Sequence, residues 1–135
     1  MRVTAVVLNW NRRTDTRACL ASLAASDLPL DVLVVDNGST ECPPGDLVAG
    51  VVGPGLRSLR LHASPDNLGF ARGMNLGIDL ALKDGADAVW VLNNDVTVAA
   101  DAGRLLADAL QARPDAAVVG PAVYDARTPG RLACR

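Results

Sequence analysis

Histidine, cysteine and aromatic side chains are all scarce in this chain, and each shortage closes a class of function. Four aromatic residues, Trp10, Phe70, Trp90 and Tyr124, are spread over 135 positions, too few for the base-stacking platform that single-strand nucleic-acid binders use. An excess of positive charge is also missing. Thirteen Lys and Arg stand against fifteen Asp and Glu, a net charge of -2, so the field that draws proteins onto phosphate backbones or anionic lipid is lacking. No nucleic-acid partner is expected. The cysteines Cys19, Cys42 and Cys134 are odd in number and show no CxxC spacing, which argues against a disulfide framework or a structural zinc and fits a reducing cytoplasm. None has a neighbouring base to make it a nucleophile. The lone histidine, His62, reads as a structural residue. No apolar run approaches the ~18 residues of a membrane span, and the chain turns polar at Asn9 before a signal-like stretch is long enough.

Hydrophobic residues, in contrast, make up half the sequence, enough for one compact domain with a real core. Short β-branched runs alternate with longer Ala/Leu-rich stretches, the pattern of a mostly parallel sheet covered by helices on both faces. The class is α/β. Val3 to Leu8 is a near-continuous apolar run, as in a strand buried on both faces. Thr14 or Asp15 can cap a helix to Ala25 whose stripe is Thr16, Cys19, Leu20, Leu23 and Ala24. Val32 to Val35 is a second strand, closed by Asp36 and the turn pair Asn37-Gly38. A Gly/Pro-rich loop from Pro43 to Gly55, with a short helix at Asp46 to Val52, leads to a third strand at Ser58 to His62. A helix from Ala71 to Lys83 turns Met74, Ile78, Ala81 and Leu82 inward and stops at Gly85. Ala88 to Leu92 is the fourth strand, Asp101 to Ala112 a helix, and Ala116 to Val119 a fifth strand.

Ligands of open α/β sheets settle beyond the carboxyl ends of the strands, where side chains from several strands converge. Three such ends here are polar: Asn9-Trp10-Asn11-Arg12, Asp36-Asn37-Gly38-Ser39-Thr40 and Asn93-Asn94-Asp95. Asp66-Asn67 adds a polar turn at a helix entry. Any one cluster is ordinary turn chemistry, but together they outline a site. Asn93, Asn94 and Asp95 offer hard oxygen ligands to Mg²⁺ or Mn²⁺, ions that take one or two carboxylates and complete their shell with phosphate oxygens. Asp36 can accept hydrogen bonds from a nucleobase or ribose. Arg12, Arg13 and Arg17 are either a solvated helix face or phosphate-steering charges. Gly53-Pro54-Gly55 is no dinucleotide fingerprint, because proline intrudes and a third glycine is missing, and no GxxxxGK is present.

Four blocks in order resemble glycosyltransferase family 2: residues 3–12, VTAVVLNWNR; 34–40, VVDNGST; 67–77, NLGFARGMNLG; and 91–95, VLNND. The resemblance runs from Val3 to about Asp125 and is nearest to the rhamnosyltransferase-like branch. It implies the GT-A fold, and a cytoplasmic enzyme of polysaccharide or cell-wall biosynthesis, working at the inner face of the membrane. The reaction it implies is inverting transfer of a sugar, rhamnose in that branch, from a nucleotide-diphosphate donor to a glycan or lipid-linked acceptor. Asn9, Asn11, Arg12 and Asp36 match the nucleotide pocket, with Asp36 at the base. Asp95 matches the metal position of the family's Asp-x-Asp-like motif, Asn94 lies near the ribose or sugar, and Arg72 and Asn75 match positions around the donor. Asn94 replaces the first carboxylate of the fuller motif, and one charge fewer loosens a metal. Met74 and Glu41-Cys42 also depart from the branch.

An acidic motif that serves the family as catalytic base has no counterpart here, since residues 127–135 hold no carboxylate. The expectation is a donor-binding half, 1–135, without its acceptor half, which binds donor but transfers sugar poorly. Uncovered apolar surface then leaves room for self-association and peripheral membrane contact. Two alternatives stand beside it. One is a nonenzymatic nucleotide-sugar binding module, the other a nucleotidyltransferase, which should carry a Gly-rich loop after the first strand.

Overall fold

A computed structural model describes residues 1–128 and 130–133, so Cys134 lies outside the described residues. The chain alternates strand and helix: β1 (Val3–Asn9), α1 (Arg13–Ala24), β2 (Leu30–Asn37), a 3-10 turn (Pro44–Leu47), β3 (Leu56–Ser64), α2 (Phe70–Lys83), β4 (Ala88–Asn93) and α3 (Ala102–Ala112). The four strands form one parallel sheet in the order β3-β2-β1-β4. After β3 the chain returns to the far side of β1, so the strand order reverses between β1 and β4.

Burial follows strand position. Every residue of the central strands β1 and β2 is buried, whereas the edge strands β3 and β4 are mostly half-buried or exposed. This is why the continuous apolar runs are strands rather than helices: a strand with helices on both faces has no polar side to show. Val3, Ala5 and Val7 pack with Leu20 and Leu23 of α1, and Val6 and Leu8 pack with Met74 and Ala81 of α2. The stripe read on α1 is the buried stripe observed.

Helix α2 approaches the sheet through glycine. A Cβ on Gly77 would overlap Val6 Cγ1 and lie 3.0 Å from Val35 Cγ2, and one on Gly73 would lie 2.8 Å from Leu8 Cδ1. Gly77→Ala gains about 1 kcal/mol of helix propensity. It also drives a methyl into stiff β-branched side chains of the two central strands, an overpacking cost of about 1–3 kcal/mol. Because the nearest atoms belong to stiff side chains of the two central strands, the packing term is expected to lie in the upper part of that range, and urea unfolding should show a net loss of up to about 2 kcal/mol.

The amino ends of the strands are pinned by Asp31, 2% exposed, which accepts from Arg2 Nε at 2.7 Å, Arg57 Nη1 at 3.1 Å and Ser58 Oγ at 2.6 Å. Burial alone would push its carboxyl up. Hydrogen bonds from Ser58 and Arg2 and the charges of Arg2 and Arg57 together outweigh that and hold it below its ordinary range.

Several expectations need correction. Residues 116–119 form no strand: Val118 is 85% exposed, and the outer edge of β4 carries no partner among the described strands. A four-residue apolar run makes a strand only where a ladder receives it. Beyond α3 the chain instead forms an isolated antiparallel bridge of Tyr124 with Leu132. The cap of α1 is Arg12, with no side-chain hydrogen bond. Thr14 and Asp15 lie inside the first turn, where Asp15 suits the helix dipole. Leu82 is 52% exposed, displaced from the inner face of α2 by Gly73 and Gly77. The loop helix is a single 3-10 turn, seated by buried Leu47.

Candidate functional site

Parallel register brings the polar strand ends together. Asn9 is level with Asp36, Leu8 with Asn93 and Asn37 with Ser64. A cleft of about 500 Å³ opens beyond them, at the reversal of strand order, the place where such sheets bind ligands. Its walls are Trp10 and Arg12 after β1, Asn37 after β2, Asn67, Gly69 and Phe70 at the entry to α2, and Asn93, Asn94 and Asp95 after β4. The volume lies in the range of small-molecule sites.

Asn9 is the hub beneath the cleft. It is 1% exposed and spends its whole amide inside the protein. Nδ2 donates to Asp36 Oδ1 at 2.7 Å and to Ser39 Oγ at 3.0 Å, and Oδ1 accepts from Thr16 Oγ1 at 2.7 Å. Asp36 is equally buried and also accepts from Ser39 Oγ at 2.5 Å and Ser39 N at 3.3 Å. Asn11 adopts a left-handed φ of 50°, a conformation that asparagine tolerates better than most residues. From there its Oδ1 accepts from Thr40 N at 2.8 Å and Glu41 N at 3.2 Å, which holds the loop after β2 against the loop after β1.

Asn37 ties the same loop to the entry of α2. Its Nδ2 donates to Asn67 Oδ1 at 3.0 Å and Gly69 O at 3.2 Å, while its Oδ1 accepts from Leu68 N at 2.9 Å. The turn can close this tightly because Gly38, at φ 73°, lies against the backbone of Asp66 and Asn67, where any Cβ would be within 2.7 Å of main-chain atoms.

Of the candidate residues read from sequence, Arg12, Asn94 and Asp95 line the cleft, Asn9 and Asp36 are buried at the strand ends beneath it, and Asn11 holds the neighbouring loop. Arg72 and Asn75 are exposed on α2, outside the residues that line it. Arg12 is exposed and paired with Asp15 at 3.4 Å. Arg17 is no steering charge: it donates to the carbonyls of Asp46 and Ala49, both at 2.9 Å, and so clamps the 3-10 turn. Thr16, Ser39, Asn37 and Asn67 were not picked individually. Thr16 was hidden because, read by helical spacing, it is simply a core position. Trp10 and Phe70, 54% and 62% exposed, flank the cleft although aromatics are few overall.

Cys19 lies below Asn93, its Sγ 3.9 Å from the Asn93 carbonyl. Burial, and secondarily the Asp95 charge, pushes its thiol up to about 11, so it is a neutral core thiol and no nucleophile at pH 7.

Residues 4–132 match the family model described as glycosyl transferase family 2. The chain belongs to glycosyltransferase family 2. Among curated proteins it is similar to galactofuranosyltransferase GlfT1 of Mycobacterium tuberculosis, 39% identical over 137 residues; the match takes in 97% of this chain and 42% of the relative. Among solved structures it is similar to the mannosyltransferase PcManGT from Pyrobaculum calidifontis in complex with GDP-Man and Mn²⁺, with TM-score 0.69, 23% identity and 93% of this chain against 36% of that one. TarS of S. aureus in complex with UDP gives TM-score 0.67 at 19% identity, covering 84% of this chain and 33% of that chain. The sheet is thus a GT-A-like fold of this family, spanning part of the longer relatives. No helix among the described residues is long and apolar enough to cross a membrane. Membership of the family sets aside the nucleotidyltransferase alternative, and Asn9 to Arg12 form no glycine cradle.

Proposed function

We propose that the cleft binds the nucleoside diphosphate of a sugar donor and that this segment is the donor-binding part of an inverting glycosyltransferase. The convergence of Asn9, Asp36, Asn94 and Asp95 at one mouth of the sheet carries this reading. Asp36, buried against Asn9 and Ser39, is assigned to the base end of the site, its Oδ2 receiving only the 3.3 Å bond from Ser39 N. Asn11 and Ser39 hold the loop that walls the base, and Arg12 and the amino end of α2 favour the phosphates. Arg72 and Asn75, exposed on α2 outside the cleft lining, are assigned to the donor by the motif resemblance alone.

The donor set suits a divalent cation that arrives with its substrate. Asp95 is an exposed carboxylate that follows Asn93 and Asn94 on the same turn, and the described residues hold no group of three or more His, Cys, Asp and Glu placed to hold a metal ion. Such a set is too lean to cage an ion alone, but Mg²⁺ or Mn²⁺ needs only one or two carboxylates when phosphates complete its shell. When bound, the cation would offset the charge that grows on the departing diphosphate. Asp95 would hold it.

No carboxylate of the cleft is free to serve as base. Asp36 is buried beneath the cleft and assigned to the nucleotide base, Asp15 pairs with Arg12, and Asp95 would hold the cation. Without general-base help, worth ~10²–10⁴-fold, transfer by this chain alone should be slow; the nonenzymatic binding module remains the second reading on the same observation. The donor sugar follows the relatives no further than their names: rhamnose rests on motif resemblance, while GlfT1 is a galactofuranosyltransferase. A glycan or lipid-linked acceptor at the inner membrane face completes the proposal. Exposed Val91, Leu105 and Val118 support self-association, which light scattering reads directly.

A thermal-shift panel of UDP, dTDP and GDP, each with and without Mn²⁺, tests the donor site. At least one diphosphate is expected to raise the melting temperature more with Mn²⁺ than without. If all three leave it unmoved, the cleft is not a donor site. Glycoside formation at ordinary enzymatic rates by this chain would overturn the inference of a missing base.

A further inference from the structure

Thr16 is fully buried in α1, yet its hydroxyl is used twice. Oγ1 donates to Asn9 Oδ1 at 2.7 Å and accepts from Asn94 Nδ2 at 3.0 Å. The direct contact from Asn94 Nδ2 to Asn9 Oδ1 is longer, 3.4 Å, so the short route between the β4 turn and the β1 end runs through Thr16. Asn9 continues it to Asp36 and Ser39. A hydrogen-bonded chain therefore joins the turn that carries Asp95 to the loop that walls the base.

Its direction is forced from one end. The carboxylate of Asp36 only accepts, so Asn9 must present Nδ2 to it and turn Oδ1 toward Thr16. The single hydroxyl hydrogen of Thr16 then goes to Asn9, which leaves a lone pair that Asn94 can meet only with Nδ2. Asn94 is thereby fixed in orientation, with its amide nitrogen inward, and Asp95 follows it in the chain.

We infer that Thr16 is a positioning residue: it sets the Asn94-Asp95 turn against the nucleotide loop, so that the cation and the nucleotide are bound cooperatively. This rests on the donor-site reading above. A plain packing role makes the opposite forecast, because Thr16→Val keeps the volume and loses the hydroxyl, while Thr16→Ser keeps the hydroxyl and loses a methyl.

Calorimetric titration of UDP and of GDP, with and without Mn²⁺, gives for each protein the factor by which Mn²⁺ tightens binding. Thr16→Val is expected to reduce that factor about tenfold or more, the usual scale for losing a partner that orients a metal ligand. Thr16→Ser should stay within about twofold of wild type. Ser58→Ala, at the opposite end of the sheet beside Asp31, should keep the wild-type factor even though it loosens the fold. Should Thr16→Val not fold, Thr16→Ala removes the same hydroxyl without touching the cleft, and the same loss is expected. A wild-type factor in Thr16→Val, or in Thr16→Ala where that variant stands in, overturns the positioning role, as does a loss in Thr16→Ser equal to that in Thr16→Val. A wild-type chain that binds neither nucleotide overturns the donor site itself.

Discussion

Asp95→Ala is expected to erase the Mn²⁺-dependent part of nucleotide stabilisation while leaving the unliganded protein nearly as stable as before. Asp95 is exposed, and substitutions at such positions usually change stability by no more than about 0.5 kcal/mol. Its proposed role is specific: it is the one carboxylate in the Asn93-Asn94-Asp95 turn, and a hard cation loses its only anionic protein ligand there when the side chain is cut back. With nucleotide and Mn²⁺ at a hundred times their dissociation constant, binding adds about 2.7 kcal/mol, or roughly 10 °C for a chain of this size. The variant should keep only the shift seen with nucleotide alone. Asp95→Asn, which retains the oxygen but not the charge, should fall between the two. Equal Mn²⁺-dependent shifts in wild type and Asp95→Ala would remove Asp95 from the site.

Asn9→Leu should have the largest effect on the fold itself. Leucine fills a similar volume and is at home in a buried strand, so packing alone would call the change mild. The polar accounting says otherwise. Asp36 loses its 2.7 Å donor, half-buried Ser39 loses a second bond, and Thr16 loses the acceptor of its hydroxyl hydrogen, and Asp36 and Thr16 are both buried. Leaving buried polar groups unpaired costs about 1–3 kcal/mol each and more for a carboxylate, so a total of about 3–5 kcal/mol is expected. The melting temperature should drop by roughly 10–20 °C, and nucleotide binding should weaken together with it. A loss below about 1 kcal/mol, read by urea unfolding, would show that water or a shifted Ser39 replaces the amide.

Both forecasts turn on how the loops lock together, and that was only partly legible in the sequence. The central strands were, because burial on both faces leaves a continuous apolar run that no surface element would carry. So was the inner stripe of α1, and so was the placing of polar clusters at strand ends, since each cluster ends its own apolar run. The fifth strand failed for the same physical reason that the others succeeded: a local run of Ala and Val says that a segment could pair, not that a neighbouring edge will receive it. Leu82 failed because helical spacing counts hydrophobicity, whereas the face of α2 that meets the sheet was chosen by two glycines that let the backbone come close. Arg72 and Asn75 match a motif by position, and their place on α2, exposed and outside the residues that line the cleft, is set by the face that meets the sheet.

Local order in the chain determined the α/β class, the runs able to form strands, and which short segments carry polar groups, because those features depend on the period and composition of a few successive residues. Tertiary structure alone decided that Asn9, Thr16 and Asn94, up to 85 residues apart, share one hydrogen-bonded chain. Directional bonds between distant groups depend on strand register and helix approach to within a fraction of an ångström, and no local pattern of residues encodes either.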